Sequence, residues 1–288
     1  MRRSILIAAV LVVAACGPAT AERVAVMGVD RLSGELSGQE VELPGTDLAA
    51  LRGPAGMFVQ GGASPECGVR RKVSGALVAR TVRCVTLMGY YAALERARQF
   101  LLAAGAEALL PAPVHTGEDM APGLHYVPAA DAFTLGDGPQ GARVPAALNP
   151  GAVARELARR HLRALSEAEG EGIALFLGAT ASADPGYLAA SEPGGDPVGN
   201  LDLSRPLAAG APASAVLASA LWAWADASGD LLGASRAALA AARALGNGPS
   251  GPAAVLSLVA DQLVGAERDQ ACAVFRARLH ASDIPACP

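Results

Sequence analysis

Lysine is nearly missing from this chain of 288 residues. Lys72 is the only one, and the other basic side chains are arginines, which we read as a GC-rich coding bias. Aromatic residues are scarce as well, at 4%, so alanine, leucine and valine must fill the core that a 52% apolar fraction allows. Net charge is −4, with no basic block and no interleaving of aromatic with basic residues, which argues against nucleic acid as a partner. No C-x-x-C pair occurs, so cysteine-based metal binding is not expected. No G-x-S-x-G, no Ser-His-Asp arrangement and no Gly-rich phosphate loop after a strand stands out, which removes the usual signals of serine hydrolases and nucleotide-binding folds. There is no internal repeat.

Long apolar runs are also lacking. The one at the N-terminus, Ile5 to Ala15, has 11 residues, too few to span a bilayer at about 1.5 Å per helical residue. It follows Arg2 and Arg3 and ends in Val13-Ala14-Ala15-Cys16, which resembles a bacterial lipobox. That signal makes Cys16 the lipidated first residue and implies export to the cell envelope, with a membrane partner held through the lipid. Gly17 after Cys16 leans towards the outer membrane where the source has one. The rival reading is plain secretion, periplasmic or beyond, after the A-x-A site Ala19-Thr20-Ala21. Without Cys16 four cysteines remain: Cys67, Cys84, Cys272 and Cys287. An even number in an oxidising compartment predicts disulfides, and we expect the sequential pairs Cys67–Cys84 and Cys272–Cys287.

The chain divides into a signal and tether (1–22), a β-rich region (23–87) and a larger α+β region (88–288) with a mostly helical C-terminal half. Strand-like runs are Val24–Met27, Glu40–Leu43, Gly56–Gln60 and Ala76–Leu87, separated by Gly, Ser and Pro. From Met88 the period becomes helical: Tyr90, Tyr91, Leu94, Ala97, Leu101 and Leu102 recur at three- and four-residue spacing, and Gly105 is a stop. Leu109–Val114 reads as a strand and Gly123–Leu135 as an edge strand or hairpin, followed by a turn at Asp137-Gly138-Pro139. Asn149-Pro150 opens a long helix. Residues 184–212 read as a surface loop, and Pro212 to His280 as helices broken near Gly229 and at Gly246–Pro252. Strands followed by many helices make an α+β fold.

Residues Asn149 to Leu188 carry the most informative pattern. On a helical wheel Val153, Ala154, Leu157, Ala158, Ala164 and Leu165 fall on one side, and Arg155, Glu156, Arg159, Arg163 and Glu167 on the other. The frame Arg155-Glu156-Leu157-Ala158-Arg159 is that of H-E-x-x-H, in which two histidines at i and i+4 bind zinc and the glutamate activates water. Here arginines take both ligand positions. Around it stand Tyr90-Tyr91-Ala92-Ala93-Leu94-Glu95-Arg96-Ala97, the edge strand Tyr126–Gly136, Glu171-Gly172-Ile173-Ala174-Leu175-Phe176, Ala183-Asp184-Pro185-Gly186-Tyr187-Leu188 and Leu221-Trp222. In this order they resemble the gluzincin, or thermolysin-like, metallopeptidases, over roughly Met88 to Gly246. The resemblance implies a zincin-like fold, Glu156 at the general-base position and Glu171 at the third zinc-ligand position. Leu175 stands where the family has Asp.

Arginine offers no lone pair to zinc and stays charged. The resemblance therefore implies a degenerate site with no metal and no cofactor, a pseudopeptidase that binds or supports a peptide or protein partner in the old cleft. Without zinc, Glu156 and Glu171 would repel one another, and Arg155 and Arg159 are placed to neutralise them. This predicts a short Arg–Glu contact between two adjacent helices flanking a sheet edge. Other readings of the same residues stay open. The arginines also fit a solvated helix face paired with Glu156 and Glu167, and Glu171 fits an acid at a helix N-terminus. His161 lies near the apolar side and reads as packed. His115 and His125 leave room for a relocated metal site in an active hydrolase. An envelope interaction protein unrelated to peptidases is the third possibility.

Overall fold

Short runs punctuated by glycine and proline give short strands, which are stable only when several pair and one face is covered. The computed structural model describes residues 21–29, 36–117, 120–136, 146–190, 201–208, 210–245, 250–279 and 284–287. Cys16 and the turn at Asp137-Gly138-Pro139 lie outside the described residues. The strands are β1 (Ala21–Val29), β2 (Leu36–Pro44), β3 (Arg52–Gly53), β4 (Gly56–Gln60), β5 (Val69–Arg71), β6 (Leu77–Ala79), β7 (Pro113–Thr116), β8 (Gly123–Val127) and β9 (Ala132–Gly136). They make a four-stranded sheet of order β2-β1-β6-β5 and a five-stranded sheet of order β3-β4-β7-β9-β8. In the second sheet β4, β7 and β9 run parallel, and β8 returns antiparallel to β9 as the edge strand.

Helix α1 (Val82–Ala103) packs on β1. The sequence reading carries a strand through Ala76–Leu87 and starts the helix at Met88, whereas β6 ends at Ala79 and α1 begins at Val82. Thr81 is the reason. Its backbone is extended and its hydroxyl accepts a 3.3 Å bond from the Cys84 N–H, so the helix is capped there. The expected Cys67–Cys84 disulfide then ties that first turn to the loop before β5, with 5.6 Å between the Cα atoms. A second correction concerns Leu109–Val114. Pro111 and Pro113 cannot donate to a ladder, and the strand occupies Pro113–Thr116 instead, leaving Leu110 exposed.

Next come α2 (Pro150–His161), α3 (Glu167–Ser182), α4 (Ala213–Ser228), α5 (Leu231–Leu245), α6 (Pro252–Ala260) and α7 (Ala266–Leu279). Helix α3 starts at Glu167, four residues before Glu171, because the Ser166 N–H and hydroxyl both donate to the Glu169 carboxylate and cap the helix there. The break between α6 and α7 turns on Gly265 at φ +57°, and had no counterpart in the sequence reading. The fold is mixed α+β, with two small sheets and, among the described residues, seven α-helices.

One core runs through both halves. Phe58 and Tyr91 meet under the first helix, Tyr126 and Phe133 between edge strand and neighbour, and Trp224 and Phe275 in the helical half. Trp222 and Trp224 are both buried. The second expected disulfide, Cys272–Cys287, fastens residues 284–287 to α7. No helix among the described residues is long and apolar enough to cross a membrane.

Candidate functional site

Asn149 starts α2 by accepting bonds from the Gly151 and Ala152 N–H groups at 3.0 and 3.3 Å, and Pro150 fills the first position, where no amide hydrogen is needed. The next residue decides how closely α3 can approach. A Cβ on Gly151 would lie 2.4 Å from the Tyr187 ring and 2.8 Å from the Gly178 carbonyl oxygen. A Cβ on Gly178 would lie 2.7 Å from the Gly151 carbonyl oxygen. Glycine at both positions lets the two backbones nearly touch. Arg155, one turn along α2, then faces Glu171, two turns back along α3.

The result is a four-membered charge cluster. Arg155 Nε donates to Glu171 Oε1 at 2.7 Å, and Arg159 Nε lies 3.2 Å from Glu171 Oε2. Arg159 Nη1 reaches Glu156 Oε2 at 3.0 Å, and Arg155 Nη1 stands 3.9 Å from Glu156 Oε1. Each carboxylate thus faces both guanidinium groups. The expected short contact between the two helices is present. The Glu156 side chain is only 5% exposed, Arg155 and Glu171 18%, and Arg159 36%. Burial works against the charge on Arg155, but Glu171, Tyr187 and Glu156 outweigh it and hold the guanidinium above the ordinary arginine range.

Glu156 has a further partner. Its Oε2 accepts the Tyr126 backbone N–H at 2.8 Å in a buried bond. Tyr126 lies on β8, so this bond fastens α2 to the edge of the five-stranded sheet. The wheel puts Glu156 on the polar side, yet it is buried, because β8 and α3 both pack against that side. Glu171 is not a residue of the first turn of α3; that place belongs to Glu167 and Glu169. Leu175 is buried one turn before Gly178.

The donor set does not fit a zinc ion. Two of the three positions that would ligate it hold cations with no lone pair, and the acids are already engaged by those cations. Among the described residues no group of three or more His, Cys, Asp or Glu could hold a metal ion. His115 and His125 do come together in one respect. Both pair with Thr134 of β9, from opposite sides, so the three side chains share one face of the sheet. His125 Nε2 is 2.6 Å from the Pro122 carbonyl oxygen. No third ligand joins them among the described residues.

Arg163 does not join Glu156 or Glu167. It belongs to a second cluster at the far end of α2, which sequence reasoning missed. Arg160 forks onto Asp131 at 2.8 and 2.9 Å, Arg163 adds a 2.8 Å contact, and the Tyr126 hydroxyl a 3.0 Å bond. The Arg160 hydrogen bonds hold the Asp131 carboxyl far below the usual carboxylate range. No spacing rule points to Asp131, which reaches α2 across 29 residues. Nearby, His161 lines a cavity of about 410 Å³ with Leu162, Leu165, Leu239, Glu107 and Arg243. Burial first, then the Arg160 charge, pushes the imidazole down to about 4, so it is neutral near pH 7.

Compared with known proteins, the chain matches no protein-family model and no curated protein.

Proposed function

We propose that this chain is an exported, lipid-anchored pseudopeptidase: a zincin-like scaffold whose cleft holds internal ion pairs in place of a metal, with a binding or supporting role at the cell envelope. The observation that carries the reading is the state of Glu156. A general base needs a free carboxylate oxygen facing the water it activates. Both Glu156 oxygens lie against guanidinium groups, and one also accepts the Tyr126 amide. The layout supports the family resemblance: an antiparallel edge strand, a helix packed on it, and a second helix supplying the acid at the third-ligand position. The two arginines supply the positive charge that zinc would have brought, without its Lewis acidity.

The purified protein should neither retain stoichiometric zinc nor hydrolyse peptides. Zinc at one per chain, lost together with peptidase activity in Glu171→Gln, would overturn the proposal. A positive counterpart is the double substitution Arg155→His with Arg159→His. It places two imidazoles at i and i+4 facing Glu171, and zinc measured by isothermal titration should bind at one per chain, with Glu171→Gln in that background weakening it roughly tenfold or more. A double variant that folds and binds no zinc would remove the zincin-like geometry from the proposal.

A further inference from the structure

We propose that the hairpin joining β5 to β6 is the surface on which this protein meets an anionic lipid membrane. Three observations meet there. The first is an exposed apolar apex. Val73 is fully exposed, the most exposed of the large apolar side chains among the described residues. The second is charge. Arg70, Arg71 and Lys72 precede Val73 in an unbroken row, and Val69 to Ala79 contains no acid, in a chain of net charge −4. Three cations are too few to register as a basic block in sequence, but the hairpin gathers them around one apolar tip.

The third is position. Strand β6 runs parallel to β1, with Leu77 paired to Val24, so the residues before β6 lie at the end where β1 begins. Arg23 donates to the Ser74 carbonyl, and Arg71 pairs with Glu22 at 3.5 Å. The tip therefore stands beside the entry point of the chain. Cys16 is five residues before Ala21, an extended reach of about 17 Å. A lipid on Cys16 would hold this end of the sheet against the bilayer, so the inference rests on the proposed anchor for its placement at a membrane.

Acids are present at the same end, and one reaches the tip, since Glu40 accepts a 3.0 Å bond from the Ser74 hydroxyl. Glu40 and Glu42 lie on β2, one outer strand, whereas Arg70 and Arg71 lie on β5, the other. Arg23 pairs with Glu40 and Arg71 with Glu22, both in solvent, where such pairs are weak and exchange readily. Arg70 and Lys72 have no ion pair among the described residues. Their long side chains can reach phosphate groups while Val73 enters the headgroup region. The hairpin would thus orient the domain that the lipid tethers.

The test uses the chain from Ala21 onward, which contains every described element and lacks both the apolar leader and Cys16. Co-sedimentation with vesicles of phosphatidylethanolamine and phosphatidylglycerol is compared with phosphatidylcholine alone. We expect partition into the anionic vesicles only. Arg70→Ala and Lys72→Ala should each lower it about fivefold, the effect of one cation near a charged surface. Val73→Asp should lower it further, while Val264→Asp, an exposed apolar residue of the helical half, leaves it unchanged. Equal partition into neutral vesicles, or hairpin variants that bind like the wild type with unchanged circular dichroism, would overturn the inference. The anchor is tested separately, by the mass of the Cys16 peptide from the full chain. A bare Cys16 sinks the anchor and leaves the vesicle result standing.

Discussion

Helix α2 and the residues just after it carry two arginine–acid clusters, whose arginines adjoin at Arg159 and Arg160, and they differ in nearly everything but chemistry. The inner one joins Arg155 and Arg159 to Glu156 and Glu171, between two helices and a sheet edge. The outer one joins Arg160 and Arg163 to Asp131, whose side chain is 41% exposed. Tyr126 touches both, the inner through its amide and the outer through its hydroxyl. The outer cluster has the bidentate fork, at 2.8 and 2.9 Å, and the inner one the shorter single bond, 2.7 Å from Arg155 to Glu171. Yet solvent screens the fork, and an exposed pair contributes at most about 1 kcal/mol. The inner cluster has lost most of its water. There a missing partner cannot be replaced by hydration, so each member depends on the others. Shared chemistry on one helix thus makes an obligatory unit at one end and an optional one at the other.

The largest effect expected from this contrast is on Glu171. Glu171→Leu leaves Arg155 and Arg159 with Glu156 alone, and stability should fall by about 3 kcal/mol. Removing Arg155 together with it, as Arg155→Met with Glu171→Leu, should recover most of that loss, because no uncompensated charge remains and the volume is filled. Urea denaturation of the two variants and the wild type reads both numbers. A single variant that costs less than about 1 kcal/mol would mean that the inner cluster behaves like a surface pair, and the contrast would fail.

How far these clusters were visible in the sequence differs for the same physical reason. The inner one obeys a period. Arg155 and Arg159 are one turn apart on a helix that Asn149-Pro150 announces, and Glu171 follows at a spacing set by a single helix connection. Local rules reach that far. The burial of Glu156 was not legible, since the wheel sorts side chains by type and cannot know that β8 covers the polar side. The Tyr126 amide has no side-chain signature at all. Asp131 was invisible because the contact is tertiary, and a left-handed residue (φ 44°) between two strands aims it at α2. The disulfides, both sheets' main strands and the helical half followed from punctuation and counting. Two of the boundaries that moved, at Val82 and Glu167, did so where a capping side chain acted before the apolar pattern changed.

Between the clusters in size of effect stands His161, which follows Arg160 at the end of α2. In the folded protein burial and Arg160 keep it neutral down to about pH 4, whereas unfolded it takes a proton near 6.5. As pH falls from 6.5 towards 4, the unfolded chain binds the proton first, and stability declines across that window. Glu107, also at the cavity, opposes the shift, and Arg160 reinforces it. His161→Gln should flatten the decline, seen as a smaller drop in melting temperature between pH 7 and pH 4.5. Equal drops in the two proteins would show that water already reaches the imidazole in the cavity.

Asp131→Asn should have the smallest effect, and its pH dependence runs over a lower range. A carboxyl held below its unfolded value, near 3.9, contributes stability above that value and loses it as pH falls through the folded value. The variant should therefore be less stable than the wild type by under about 1 kcal/mol at pH 6. The difference should narrow only under strongly acidic conditions, below pH 4. Added salt should shrink it as well, because Arg163 and Asp131 are open to solvent. The same salt should leave the cost of Glu171→Leu nearly unchanged. If salt erased both differences alike, the inner cluster would be as wet as the outer one, and the positions of β8 and α3 around Glu156 would no longer account for its ion pairs.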